Sequence, residues 1–162
     1  DLVYELNNSN NIASTTIQIG DNRPDLQVAS FALRPSNPVV APGGTLRFDY
    51  EIANRGTGPT FGRDWTDRVI LSTDQEIGNG DDIVLGSFFR SSDVGAGQSY
   101  SRFNQSFTIP ANTIENRYWL YLLSDASEVV SELTETNNLS APIELIVTTS
   151  AGGSDLADLV VS

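Results

Sequence analysis

The chain has 162 residues, a formal net charge of −12 and no Cys, His or Met, and all nine of its basic residues are Arg. Without Cys or His, thiol nucleophiles, Ser-His-Asp triads and the usual zinc and haem ligand sets are excluded. A surface this acidic also repels phosphate backbones, which excludes nucleic acid as a partner.

The length suffices for one buried core, and 39% hydrophobic residues mark a globular chain. No run is long and apolar enough to insert into a membrane as a helix. Asp1 opens the chain without a signal sequence, so any export signal is expected in a longer precursor.

The first element is an echo. Residues 3–12 (VYELNNSNNI) align with residues 130–139 (VSELTETNNL) at a constant offset, with five identical pairs. Asp25-Leu26-Gln27-Val28 recurs as Asp158-Leu159-Val160-Val161, the extra spacing falling in the Thr-Ser-Gly-rich stretch around Thr148–Ser154. Two echoes in the same order are expected of tandem copies. Residues 1–23 then read as the tail of a preceding repeat plus linker, 24–148 as one complete copy, and 149–162 as a linker and the start of the next.

Within the complete copy, strands are expected at Leu26–Leu33, Leu46–Ile52, Trp65–Ser72, Ile83–Phe89, Tyr100–Ile109, Tyr118–Ser124 and Pro142–Val147. The clearest is the second, where Leu46, Phe48, Tyr50 and Ile52 alternate with Arg47, Asp49 and Glu51, the signature of a half-buried strand. Tyr118–Leu123 is apolar on both faces, which fits a central strand with its second face partly covered. Turns separate the runs at Ala41-Pro42-Gly43-Gly44, Asn54-Arg55-Gly56, Gly78-Asn79-Gly80 and Gly95-Ala96-Gly97. No helical period extends over a dozen residues. The fold class is therefore all-β, an immunoglobulin-like or fibronectin-like antiparallel sandwich of about seven strands. Lacking an inter-sheet disulfide, it needs aromatic burial, and Trp65, Trp119, Phe48, Phe103 and Phe107 are the candidates.

Several of these segments together resemble the bacterial cell-adhesion-related domain. They are Ala41-Pro42-Gly43, Ala53-Asn54-Arg55-Gly56, residues 65–74 (WTDRVILSTD), Gly95-Ala96-Gly97 and residues 132–138 (ELTETNN). The resemblance spans about residues 24–148. It implies a sandwich domain of large secreted or surface bacterial proteins, and it supplies no defined ligand. One departure is Asn8, standing where the complete copy has Glu135.

Two acidic segments are candidates for a hard cation such as Ca²⁺, which takes six to eight oxygens. The first carries Asp74, Glu76, Asp81 and Asp82 among flexible glycines. Its spacing does not fit the helix-loop-helix calcium pattern, and the competing reading is a polar hairpin loop. The second carries Asp125, Glu128, Glu132, Glu135, Asn137 and Asn138. There the carboxylates either share a cation or, together with the two asparagines, hold the loop's backbone.

Trp65, Trp119, Tyr118 and Tyr121 could stack on a sugar if exposed, although aromatics in strands are more often core. A paired-carboxylate glycosidase needs a cleft that a small sandwich seldom provides. The expected function is a non-catalytic repeat module, an adhesive or structural spacer of a secreted or surface protein, calcium-stabilised. Its partners are neighbouring repeats and a cell-surface or polysaccharide ligand. The alternative is a carbohydrate-binding or accessory module on a secreted hydrolase.

Overall fold

The computed structural model describes residues 14–17, 20–34, 36 and 39–150. The echoing segments 3–12 and 155–162 lie outside the described residues. Among those described there are eight strands: β1 (Leu26–Arg34), β2 (Val39–Val40), β3 (Thr45–Asn54), β4 (Trp65–Ser72), β5 (Ile83–Arg90), β6 (Ser99–Thr108), β7 (Asn116–Leu123) and β8 (Ile143–Val147). They form a three-stranded sheet in the order β1-β3-β6 and a five-stranded sheet in the order β2-β8-β7-β4-β5. Every pairing is antiparallel except β2 with β8. The eighth strand, β2, is two residues long and follows a proline, too short to carry a period.

The inward faces follow the alternation. Leu46, Phe48, Tyr50 and Ile52 of β3 meet Trp65, Val69 and Leu71 of β4 and Tyr118, Leu120 and Leu122 of β7 in one buried cluster. Phe48, fully buried, sits at its centre, edge-on to Phe31 and Phe88 and beside Phe107. A side chain of that size contributes about 1.5–3 kcal/mol when removed from water. β7 is central as expected, and Tyr121 on its outer face is only 3% exposed.

Two of the aromatic candidates are not core. Phe103 is 65% exposed. The β3–β6 register slips between Phe48 and Tyr50, which pair with Gln105 and Arg102, so β6 carries an extra residue there. The bulge, with Asn104 in left-handed backbone, inverts the alternation and turns Phe103 outward. Trp119 lies half-buried on the outer face of β7, opposite Ser72 of β4.

What joins the sheets at one end is polar as well as aromatic. Asp67 falls in phase with Trp65, Val69 and Leu71 on β4 and is fully buried. Its Oδ2 accepts hydrogen bonds from the Tyr100 (2.6 Å) and Tyr50 (3.0 Å) hydroxyls of the opposite sheet. Its Oδ1 accepts from Trp65 Nε1 (3.1 Å) and Ser124 Oγ (3.2 Å). Burial pushes the Asp67 carboxyl up, against the pull of these donors. Four such donors make a buried carboxylate tolerable.

Candidate functional site

The strand directions give the sandwich two ends. At the leading end, where β1 begins, the Asp25 carbonyl accepts from Arg55 N (2.7 Å), the Pro24 carbonyl from Leu133 N (2.8 Å), and the Gln98 carbonyl from Asn54 N (2.9 Å). At the trailing end, where β8 finishes, Thr148 N donates to the Val40 carbonyl and Gly43 N to the Ile109 carbonyl, both at 2.9 Å. Thr148 and Thr149 also donate to the Glu115 carboxylate, at 3.0 and 2.5 Å. The two acidic segments therefore sit at opposite ends: 74–82, joining β4 to β5, at the trailing end, and 125–138, joining β7 to β8, at the leading end.

In the trailing loop the carboxylates mostly organise their own turns. Asp74 accepts from Glu76 N (2.7 Å) and Asn79 Nδ2 (2.9 Å), and Asp82 accepts from Gly78 N (2.5 Å). Asp81 accepts from the Thr73 backbone N–H (2.9 Å) and hydroxyl, and these bonds hold its carboxyl below the usual range. The second oxygens, Asp81 Oδ1 and Asp82 Oδ1, are shielded from water and have no hydrogen-bond partner. Glu76 is exposed.

In the leading segment the carboxylates turn toward backbone. Asp125, 2% exposed, accepts from Val130 N (2.7 Å) and Val129 N (3.1 Å). Glu132, also 2% exposed, accepts from the first amide of β1, Leu26 N, through one oxygen, and from Asn138 Nδ2 (2.8 Å) through the other. Burial pushes the Glu132 carboxyl up to about 7, and the nearby Glu135 and Asp125 charges push the same way. Glu135 accepts from Glu132 N (2.8 Å), Asn137 Nδ2 donates to Asp25 (2.9 Å), and Glu128 is exposed in left-handed backbone. Asp125 and Glu135 thus hold the loop's own backbone, and Glu132 adds a hold that the sequence did not signal, on the backbone of Leu26 at the start of β1.

The Asn-Arg-Gly turn after β3 grips the same stretch from the other side. Asn54 Oδ1 accepts from Asp25 N (3.0 Å), while its Nδ2 donates to the Gly58 and Val94 carbonyls at 2.8 and 2.9 Å. Thr57 N and Gly58 N both donate to the Arg23 carbonyl at 3.0 Å. A Cβ on Gly56 would overlap the Arg23 carbonyl, and one on Gly58 would overlap the Asn22 carbonyl. Glycine is needed because backbone passes over backbone there. Arg23 Nη1 closes the clamp on the Glu132 carbonyl at 2.9 Å.

Among the described residues, no three His, Cys, Asp or Glu side chains converge closely enough to enclose a metal ion. A crevice of about 50 Å³ is lined by Asp125, Glu128, Glu135 and Asn138. Asn138 is 3% exposed, and its Oδ1 has no partner. A larger hollow of about 240 Å³ lies between Arg23, Pro24, Thr60, Phe61, Arg63 and Val129. The four sequence candidates for a sugar platform do not form one: Trp65, Tyr118 and Tyr121 are buried and Trp119 is half-buried. Asp67 and Arg23 are structural residues that the sequence reading gave no role, while Asn54 and Asp25 entered it only within a turn motif and an echo. Asp67 carried a signal of its own, a carboxylate in phase with three core residues.

The CARDB family model matches residues 23–142. The chain belongs to the CARDB family. No curated protein matches it in sequence. Among solved structures it is similar to the CARDB domain of a Pyrococcus furiosus protein in complex with di-metal ions, at 19% identity and a TM-score of 0.53, over 82% of this chain and 95% of that one. The solution structure of the same P. furiosus domain gives 20% identity and a TM-score of 0.50, over 79% and 98%. At these identities the likeness concerns the CARDB fold, and the sandwich above has that fold. The Asn-Arg-Gly and Glu-Leu-Thr-Glu-Thr-Asn-Asn segments, on which the resemblance rested, are the two halves of the clamp on residues 23–26.

Proposed function

We propose that this CARDB domain is a non-catalytic spacer and adhesion module, repeated head to tail in a large secreted or cell-surface bacterial protein. The observation that carries this reading is that the chain enters the sandwich at one end and leaves at the other, both passages being tied down by hydrogen bonds. Domains joined this way extend as a string, and each adds its own length to the reach. The longest strands have ten residues, so each copy adds about 33 Å at about 3.3 Å per residue. Small-angle scattering of chains carrying one, two and three consecutive copies tests it. A maximum dimension rising by roughly that step per copy is expected, and a dimension that stays compact would overturn the reading.

A divalent cation, Ca²⁺ by the hardness of its oxygen ligands, is proposed to steady the module at its carboxylate loops. Three observations support this. Asp125, Glu128 and Glu135 line one crevice with the unpartnered Asn138 Oδ1. Asp81 and Asp82 each keep a shielded oxygen without a partner. The similar P. furiosus domain was solved with di-metal ions. A bound ion stabilises the folded state by mass action. Millimolar Ca²⁺ is therefore expected to raise the melting temperature and chelator to lower it; an unchanged melt removes the cation and leaves the spacer.

A further inference from the structure

The hollow at the leading end lies beside the clamped segment, since Arg23 and Pro24 belong to both. It is mostly apolar, and its rim is prepared rather than loose. Phe61 is held in left-handed backbone and is 60% exposed. Asp93 fixes that turn by accepting from Thr60 Oγ1 at 2.6 Å and Gly62 N at 3.4 Å. A strained, pinned turn that points an aromatic at solvent costs folding energy that burial of the ring elsewhere can offset. Val129 on the opposite rim is 44% exposed. Arg63 is exposed and forms no ion pair among the described residues.

The count of residues ahead of the clamp says what stands against this hollow. Val147, the last residue of β8, lies eight residues after Leu139. Eight residues after Ile12, the echo of Leu139, is Gly20. The clamp takes hold immediately afterwards: Arg23 chelates the Asp21 carboxylate, and the Asp21 carbonyl accepts from Thr57 Oγ1. On this count no free linker separates a preceding copy from the leading end. Ile17, shortly ahead of the clamp, is an apolar side chain that is 77% exposed. The downstream junction is six residues longer, with Asp158 eleven residues after Val147 against five from Gly20 to Asp25.

We infer that the hollow formed by Phe61, Arg63 and Val129 is the seat for the trailing end of the copy immediately before it in the chain. The trailing end of this copy, which a second copy of this chain would present, offers matching chemistry: Ile114 is 78% exposed, and the exposed carboxylates Asp74 and Glu76 are at the same end. Two domains of this acidity otherwise repel. Glu128 and Glu135 oppose the contact from the leading end, so attraction is confined to the arginine-lined side. The contact is heterologous, head to tail, and a short tether supplies a millimolar effective concentration, so a weak surface suffices. The joint is then stiff, and the string of copies is a rod with fixed bends. This rests on the tandem-spacer reading.

The test is a two-copy chain in which residues 24–147, which hold every strand and the whole core cluster, run directly into Gly20–Ser162. Nitroxide labels on an exposed position of each copy, read by pulsed electron spin resonance, give the inter-copy distance distribution. One narrow peak is expected. In Phe61→Ala and Arg63→Glu, placed in the second copy, that peak is expected to be lost to a broad distribution while the melting temperature of each copy stays unchanged. A broad distribution in the unsubstituted chain overturns the docked joint, yet leaves the spacer intact if scattering still shows one length step per copy. A narrow peak that survives both substitutions overturns the assignment of the surface.

Discussion

Glu132 offers the sharpest single-residue test of the clamp. In the folded chain its carboxyl sits at about 7, against an ordinary value near 4.5, with burial the largest cause. The folded state therefore prefers the protonated acid. Its contribution to stability is fully present below about 4.5, where both states are protonated, and it is lost as the pH rises through 7, because the unfolded chain ionises first. Each tenfold difference in proton affinity is worth about 1.4 kcal/mol. Water reaches the neighbouring exposed loop and softens the effect, so the loss between pH 4.5 and 8 is about 2 kcal/mol. Glu132→Gln removes the ionisation and keeps the shape. Its oxygen still accepts from Leu26 N, and its amide donates to Asn138 Oδ1, which lacks a partner, once the Asn138 amide turns over. Urea unfolding of both proteins at pH values from 4.5 to 8 isolates the residue from the other acids. The variant is expected to equal or trail the original by less than about 1 kcal/mol at pH 4.5 and to gain about 2 kcal/mol on it by pH 8. A difference that stays constant with pH would refute the burial of a titrating carboxyl at the start of β1.

Asp67→Ala leaves two tyrosine hydroxyls, an indole N–H and a serine hydroxyl without their acceptor, and is expected to cost about 3–5 kcal/mol in urea unfolding; a loss under about 1 kcal/mol would show that the sheets do not depend on it. Gly58→Val pushes a side chain into the Asn22 carbonyl. Faster amide exchange at residues 23–26 with the β3–β4 core still protected is the expected pattern, and unchanged exchange there would mean that the clamp does not hold the chain. Phe103→Ala should alter stability by less than about 0.5 kcal/mol because the ring is exposed, whereas Phe48→Ala should cost about 3–5 kcal/mol. Equal losses in the two variants would contradict the bulge in β6.

The strands themselves were legible in the sequence because a half-buried strand must alternate, and it does so within its own residues. β4 runs from Trp65 to Ser72 as the pattern predicts, and Leu46 to Ile52 all face as expected. The family, too, was written in contiguous motifs. Tertiary structure decided what no local period can carry. The orientation of Phe103 depends on an extra residue in β6 opposite Asp49, which exists only as a mismatch between two strands. The work of Glu132 and Asn54 depends on which amides lie within reach, and those amides, on Leu26 and Asp25, are 106 and 29 residues away along the chain. A carboxylate that holds a distant backbone and one that awaits a cation have the same letter and the same spacing; only folding chooses which donor each oxygen meets.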